Sequence, residues 1–246
     1  MMDIVEFFAE LYHSYGINLS IFYDHFDRDL FLEGIVYTAW LSAASIIGSL
    51  VVGALGAYLQ YTGGSWAQRL VNGYVHAFRN TPPLVQLYFF YFAVGPTLSG
   101  LMGDIHPAVS NVTWAIVSLT LYAGAFNVEI FRSGIEAVPQ STIEAADALG
   151  MNEGQIFRRI VLPLSVRISL AGLTNNLVNL IKTTTNAFAI AVPEILYASS
   201  QIWSESMNAL EMMIVLLVFF MLLIGAFTWL MKMLERATAV PGWGQA

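Results

Sequence analysis

The sequence predicts an all-α membrane protein with five core transmembrane helices, its N-terminus outside and its C-terminus inside. Three observations predict it. Of 246 residues, 57% are hydrophobic and only 11% are charged, and the mean hydropathy is +0.64. A soluble domain carries roughly a quarter charged residues, because its surface must face water. The apolar residues also fall in runs close to the ~20 needed to cross a bilayer. The ten basic residues are divided unevenly between those runs, which sets orientation, since positive loops stay cytoplasmic.

Residues 1–30 carry Phe7, Phe8, Leu11, Tyr12 and Tyr15, then the acidic stretch DHFDRD. An interfacial segment on the outer face is expected. Asp3 and Glu6 stand where a cleaved secretory signal would have Lys or Arg, so the first span is expected to act as an uncleaved signal. The transmembrane domain is placed at 31–236 and a cytoplasmic tail at 237–246.

The first span runs from about Leu32 to Tyr58, where Gly48, Gly53 and Gly56 suit close helix packing, since small residues let backbones approach in lipid. The second covers Leu84 to Leu98, extended back toward Val75, and contains Gln86. Before it, Pro82 and Pro83 form a rigid extended turn. The third is Val112 to Phe131. The fourth begins after Pro163 and is the least apolar, with Asn175, Asn176, Asn179 and Lys182. The fifth, Met212 to Met233, is the cleanest. Arg69 and Arg79 lie between spans one and two, and Arg132, Arg158, Arg159 and Arg167 between three and four. Lys232 and Arg236 close the fifth, while 99–111 and 183–211 have no basic residue.

The chain has no cysteine, which excludes disulfides, thiolate metal sites and a cysteine nucleophile. The four histidines lack ligand spacing, so no metal site is expected. There is no G-x-S-x-G and no G-x-x-x-x-G-K-[ST]. No catalytic residue, nucleotide site or nucleic-acid surface is therefore expected.

One long charge-bearing segment interrupts the apolar chain: EAADALGMNEGQIFRRIVLP, residues 144–163. Ser141 and Glu144 have capping-box spacing after Pro139, so a helix should start there. Gly150 can stop it in the left-handed conformation. Asn152 and Gln155 can cap a second short helix whose apolar face is Ile156, Phe157, Ile160 and Val161. Pro163 suits the first turn of the next span. A helix of about two turns is marginal in water, so it must pack on something. Two readings fit: a linker helix on the membrane surface, or a helix whose face of Glu144, Asp147 and Ala148 enters a partner's groove.

Several polar residues invite a pathway reading. Lys182 lies in apolar surroundings, where ionisable groups are costly and often functional, and TTTNAFAIAVPE after it reads as a broken helix. Lys182 can meet a substrate carboxylate, or it can snorkel or pair structurally. Glu129 can pair with Arg132 three residues on, or face the pathway. Asn175, Asn176 and Asn179 can bond between helices or to a ligand. Gln86, Asn179 and Thr183 complete the candidate pathway set.

Glu144-Ala145-Ala146, then Gly150, then Ile160, Leu162 and Pro163 match the EAA loop of ATP-binding-cassette importer permeases at seven positions. HAFRNTPPLVQLYFFYF (76–92), FNVEIFRSGIEAVPQST (126–142), NLVNLIKTTTNAFAI (176–190) and LERATAVPG (234–242) resemble the permeases of polar amino acid importers, of the histidine, glutamate and arginine type. The resemblance spans about Phe31 to Gly242. Pro83, where the family often has an aliphatic residue, and Thr183-Thr184-Thr185 depart from it modestly.

The resemblance implies a type I importer fold in the bacterial inner membrane, with a cytoplasmic coupling helix in an EAA loop at 139–163. Its coupling residues would be Glu144, Ala145, Ala146, Asp147, Ala148 and Gly150. The implied partners are a dimeric cytoplasmic ATPase holding ATP and Mg, a second permease chain (related or identical) and an external binding protein that delivers a polar amino acid. The competing reading is an ion-gradient-driven transporter or channel subunit. Such carriers often carry inverted repeats, and no repeat is visible here.

Overall fold

The computed structural model describes residues 4–102 and 109–238. His106, the last residues of LERATAVPG and most of the expected tail lie outside them. No strand occurs among the described residues. The elements are α1 (Ile4–Tyr15), α2 (His25–Thr62), α3 (Ser65–Arg79), α4 (Pro83–Tyr88), α5 (Gly95–Met102), α6 (Asn111–Glu136), α7 (Gln140–Ala148), α8 (Glu153–Ile156), α9 (Leu162–Thr183), α10 (Ile195–Ser206) and α11 (Ala209–Ala237). A π turn, Phe89–Val94, joins α4 to α5, and another, Phe157–Val161, joins α8 to α9.

Four helical stretches are long and apolar enough to cross a membrane: His25–Thr62, Pro83–Met102, Asn111–Glu136 and Ala209–Ala237. α9 has the length, with 22 residues, and its asparagines explain why it is the least apolar. α2 begins at His25, well before Leu32. Asp24 causes this: its carboxylate accepts from Phe26 N at 2.8 Å and Asp27 N at 3.1 Å, an N-cap that satisfies two orphan donors. The acidic stretch is thus largely the cap and first turn of α2. The second span does not extend back to Val75. α3 ends at Arg79, and Pro82 and Pro83, which cannot donate to a preceding turn, separate it from α4.

The chain forms two compact units. The first comprises Met1–Ser45, Pro83–Leu119 and Ile181–Gly225. Its core is Leu41, Leu87, Ala115, Ala187, Ile190 and Val192, with Tyr91, Val112 and Ile116 against it. α4 packs on the 3₁₀ turn Thr184–Ile190 that follows α9. That turn ends at Ala191 in the left-handed region, with φ 54°, and Asn111 Nδ2 donates to Ile190 O at 3.2 Å and Ala191 O at 2.8 Å. Glu194, fully buried, caps α10 by accepting from Leu196 N and Tyr197 N, each at 3.0 Å. The expected helix break after Lys182 is therefore present, and a short capped helix follows it.

The second unit comprises Ile46–Pro82, Thr120–Leu180 and Ala226–Ala246. A β-carbon on Gly53 would overlap Asn127, and one on Gly56 would overlap Val128. The glycine stripe thus lets the C-terminal half of α2 approach α6, as expected. Asn127, fully buried, donates to Ser49 Oγ at 3.2 Å and accepts from Asn176 Nδ2 at 2.8 Å. Asn176 also donates to Ala123 O at 3.0 Å. Tyr74 of α3 donates its hydroxyl to Leu121 O at 2.5 Å. Burial raises the pKa of that hydroxyl well above its ordinary value, so it remains a donor.

Candidate functional site

The segment between α6 and α9 lies wholly in the second unit. Pro139, with φ −60° and ψ 133°, is the N-cap of α7, and no side chain caps the helix. Ser141 consequently sits inside the first turn, and the capping box expected between Ser141 and Glu144 does not form. The physical reason is Pro139, whose extended conformation starts the helix at Gln140.

The other end follows the sequence expectation. Gly150 has φ 79°. Its N–H donates to Asp147 O at 2.8 Å, and Met151 N donates to Ala146 O at 3.3 Å. These two bonds are the paired closure of a Schellman motif, which satisfies carbonyls a helix end would otherwise leave open. Asn152 then caps α8 reciprocally: its Oδ1 accepts from Gln155 N at 2.9 Å, and Asn152 N donates to Gln155 Oε1 at 3.0 Å. The π turn carries this short helix into α9 without a break, with Pro163 in the first turn of α9.

An apolar cluster pins the segment. Ala146, Val138, Ile156 and Val161 are buried together, and Ile135, Ile143, Phe157 and Ile168 pack against them. Of the six residues expected to couple, Ala146 is therefore the anchor, at 2% exposure. Glu144, Ala145, Asp147, Ala148 and Gly150 are exposed. Leu149 is 82% exposed, and sequence reasoning passed over it. Its signal was an apolar side chain one residue before the helix stop, off the face that Ala146 buries.

The candidate pathway residues divide between the units. Gln86, Lys182 and Thr183 lie in the first. Gln86 is buried on α4, whose packing partner is the 3₁₀ turn directly after Thr183. Lys182 is exposed and makes no ion pair among the described residues. Asn179 and Glu129 lie in the second unit. Asn179 is exposed, with its Nδ2 3.4 Å from the Tyr122 hydroxyl. Of the three asparagines on α9, Asn176 bonds between helices, whereas Asn175 is exposed.

Glu129 is paired. Its Oε2 lies 3.0 Å from Arg132 Nη2 and 3.5 Å from Arg79 Nη1. Arg132 also reaches Glu136 at 2.7 Å. The Arg79 guanidinium stands 5.3 Å from the centre of the Phe126 ring. These charges border a polar cavity of about 460 Å³ that Gln60, Asn72 and His76 also line. The Glu129–Arg132 pair was legible from its spacing. Arg79 was not, because its partner is 50 residues away in sequence. No cluster of three or more His, Cys, Asp or Glu side chains suited to a metal occurs among the described residues.

Known proteins resemble this chain in sequence and in fold. Residues 34–240 match the family described as binding-protein-dependent transport system inner membrane component. The glutamine transport system permease protein GlnP of Escherichia coli strain K12 is 30% identical over 207 residues, covering 84% of this chain and 92% of that protein. The octopine transport system permease protein OccM of Rhizobium radiobacter is 35% identical over 147 residues, covering 59% of this chain and 60% of that protein. Among solved structures, an amino acid ABC transporter crystallised with histidines superposes with a TM-score of 0.75 at 22% identity, covering 85% of this chain and 94% of the other. The methionine transporter MetNI in an inward-facing conformation gives 0.71 at 22% identity, covering 86% and 97%. The expected importer-permease fold is thereby borne out, and the chain belongs to the family of inner membrane components of binding-protein-dependent transport systems.

Proposed function

We propose that the chain is the permease subunit of an ATP-driven importer carrying a polar amino acid across the bacterial inner membrane, and that α7 couples it to a separate ATPase. The observation that carries this reading is the construction of α7. It starts at Pro139, is closed at its C-terminal end by the Gly150 motif, is pinned through Ala146, and presents Glu144, Asp147, Ala148 and Leu149 outward. A linker helix lying on a membrane would turn Ile143 and Ala146 toward lipid, and α7 instead packs these two into an apolar cluster of its own unit. The permeases that share its sequence carry the names of glutamine, octopine and arginine transport systems, which supports a small polar amino acid or conjugate as cargo.

In this reading ATP and Mg are held by a cytoplasmic ATPase dimer, and an external binding protein delivers the cargo. A second permease chain, identical or related, completes the pathway. The N-terminus lies outside and the C-terminus inside, supported by the basic residues within α3, on either side of α7 and in the last turns of α11. Lys182, Gln86 and Thr183 border the pathway at the break after α9. In the second unit, Asn179 is a further pathway residue, and Glu129 acts through its arginine pairs.

The test is cross-linking. The chain lacks cysteine, so Ala148→Cys supplies a unique thiol. Co-expressed with its ATPase, this variant is expected to cross-link to it, with a yield that changes between nucleotide-free and ATP-bound states. An assembled complex giving no such cross-link would reduce α7 to a surface linker and remove the coupling role.

A further inference from the structure

We infer that the second unit holds a binding site for an anionic phospholipid, with the acyl chain in a groove between α2, α6, α9 and α11 and the phosphate at Arg159 and Arg167. The groove has a volume of about 710 Å³ and eighteen lining residues, of which only Tyr58 and Ser165 carry polar side chains. Ser165 spends its hydroxyl on Leu162 O at 2.9 Å, so, Tyr58 at the rim apart, the wall offers a guest apolar contact. A second cavity of about 590 Å³ adjoins it and shares Val166, Leu170 and Leu234. That second cavity is where the character changes: it adds Arg159, Arg167 and Thr142.

No Asp or Glu lines either cavity among the described residues. An apolar trough that opens onto two guanidinium groups, with no Asp or Glu among the described lining residues, matches the chemistry of a hydrocarbon tail ending in a phosphate. Basic pockets between membrane helices at headgroup level select anionic lipids in this way, and a guanidinium can grip phosphate through two parallel hydrogen bonds. Arg159 lies in the π turn and Arg167 in the second turn of α9, on either side of the point where the polar loop passes into the apolar helix, which is where a headgroup layer would meet it. The site lies beside α7 and is distinct from its exposed face, so it does not depend on the coupling assignment.

The full chain, purified with its co-assembling subunits into nanodiscs of equal phosphatidylcholine and phosphatidylglycerol, provides the test. Native mass spectrometry would count the lipids that stay bound. Each arginine near the surface favours an anionic lipid about fivefold. Phosphatidylglycerol should therefore exceed phosphatidylcholine among retained lipids by more than tenfold. Arg159→Gln should cut that ratio about fivefold, and R159Q with R167Q should bring it near one. Arg69→Gln, which alters neither cavity, should leave it unchanged, and Val166→Trp, which fills the shared wall, should lower retention of both lipids. A wild-type ratio near one, or a ratio unmoved by the double substitution, overturns the site. So does disulfide formation between two copies of a Val166→Cys variant, which would make the groove a chain–chain interface. A melting temperature within a few degrees of wild type checks that each variant remains folded.

Discussion

Asn127 shows how much rests on single side chains. It is fully buried and links Ser49 of α2 to Asn176 of α9. Interhelical hydrogen bonds in membranes contribute about 0.6 kcal/mol on average and up to about 1.7, whereas a stranded buried polar group costs about 1–3 kcal/mol. Asn127→Ala is therefore expected to cost about 1–2 kcal/mol, seen as a lower melting temperature in detergent; no change would mean the network contributes nothing. Gly53→Val should be worse, because its β-carbon meets Asn127 and α2 must shift away; overpacking costs about 1–3 kcal/mol. Lys182→Gln reads out differently, as lost transport with assembly intact. A variant that assembles and transports normally would remove Lys182 from the pathway. Gly53 and Lys182 were legible in the sequence as a small residue in a span and a charge in apolar surroundings. Asn127 was not, since nothing in the sequence says which of many polar residues in spans will meet.

At the scale of the element, α7 and α8 were legible where one residue type has one physical use. Gly150 takes a left-handed φ that other residues avoid, and Asn152 with Gln155 closes a reciprocal cap. The start of α7 was misread because two signals competed: the Ser141–Glu144 spacing and Pro139. The proline won, since its fixed geometry needs no hydrogen bond to set a helix start. Gly150→Ala puts a β-carbon in the left-handed region at about 1 kcal/mol. Hydrogen exchange of amides 143–149 should then speed up about fivefold. Rates equal to wild type would mean the Schellman closure is not what holds α7. Asn152→Ala, at about 1 kcal/mol for a lost cap, should loosen the start of α8 and leave the α7 amides unchanged.

For the whole molecule, the apolar runs disclosed the membrane class and the existence of four stretches long and apolar enough to cross, though not where the first two begin. The fifth, α9, was harder because it holds polar side chains that serve packing, such as Asn176, beside exposed ones, such as Asn179. What composition could not disclose was interruption. The π turns at Phe89–Val94 and Phe157–Val161 carry no glycine or proline, so they leave no local mark. If the assembly is an importer, transport in vesicles should stop when ATP is depleted and should not resume on imposing an ion gradient; uptake sustained by the gradient alone would refute it. The pinned α7 has a mechanical consequence. If α7 is the coupling helix proposed above, a part closed by Gly150 at one end and held at its middle by Ala146 has almost no backlash, so a push and a pull on it are passed on equally. One joint can then serve both strokes of a reciprocating cycle, and the return stroke needs no separate spring.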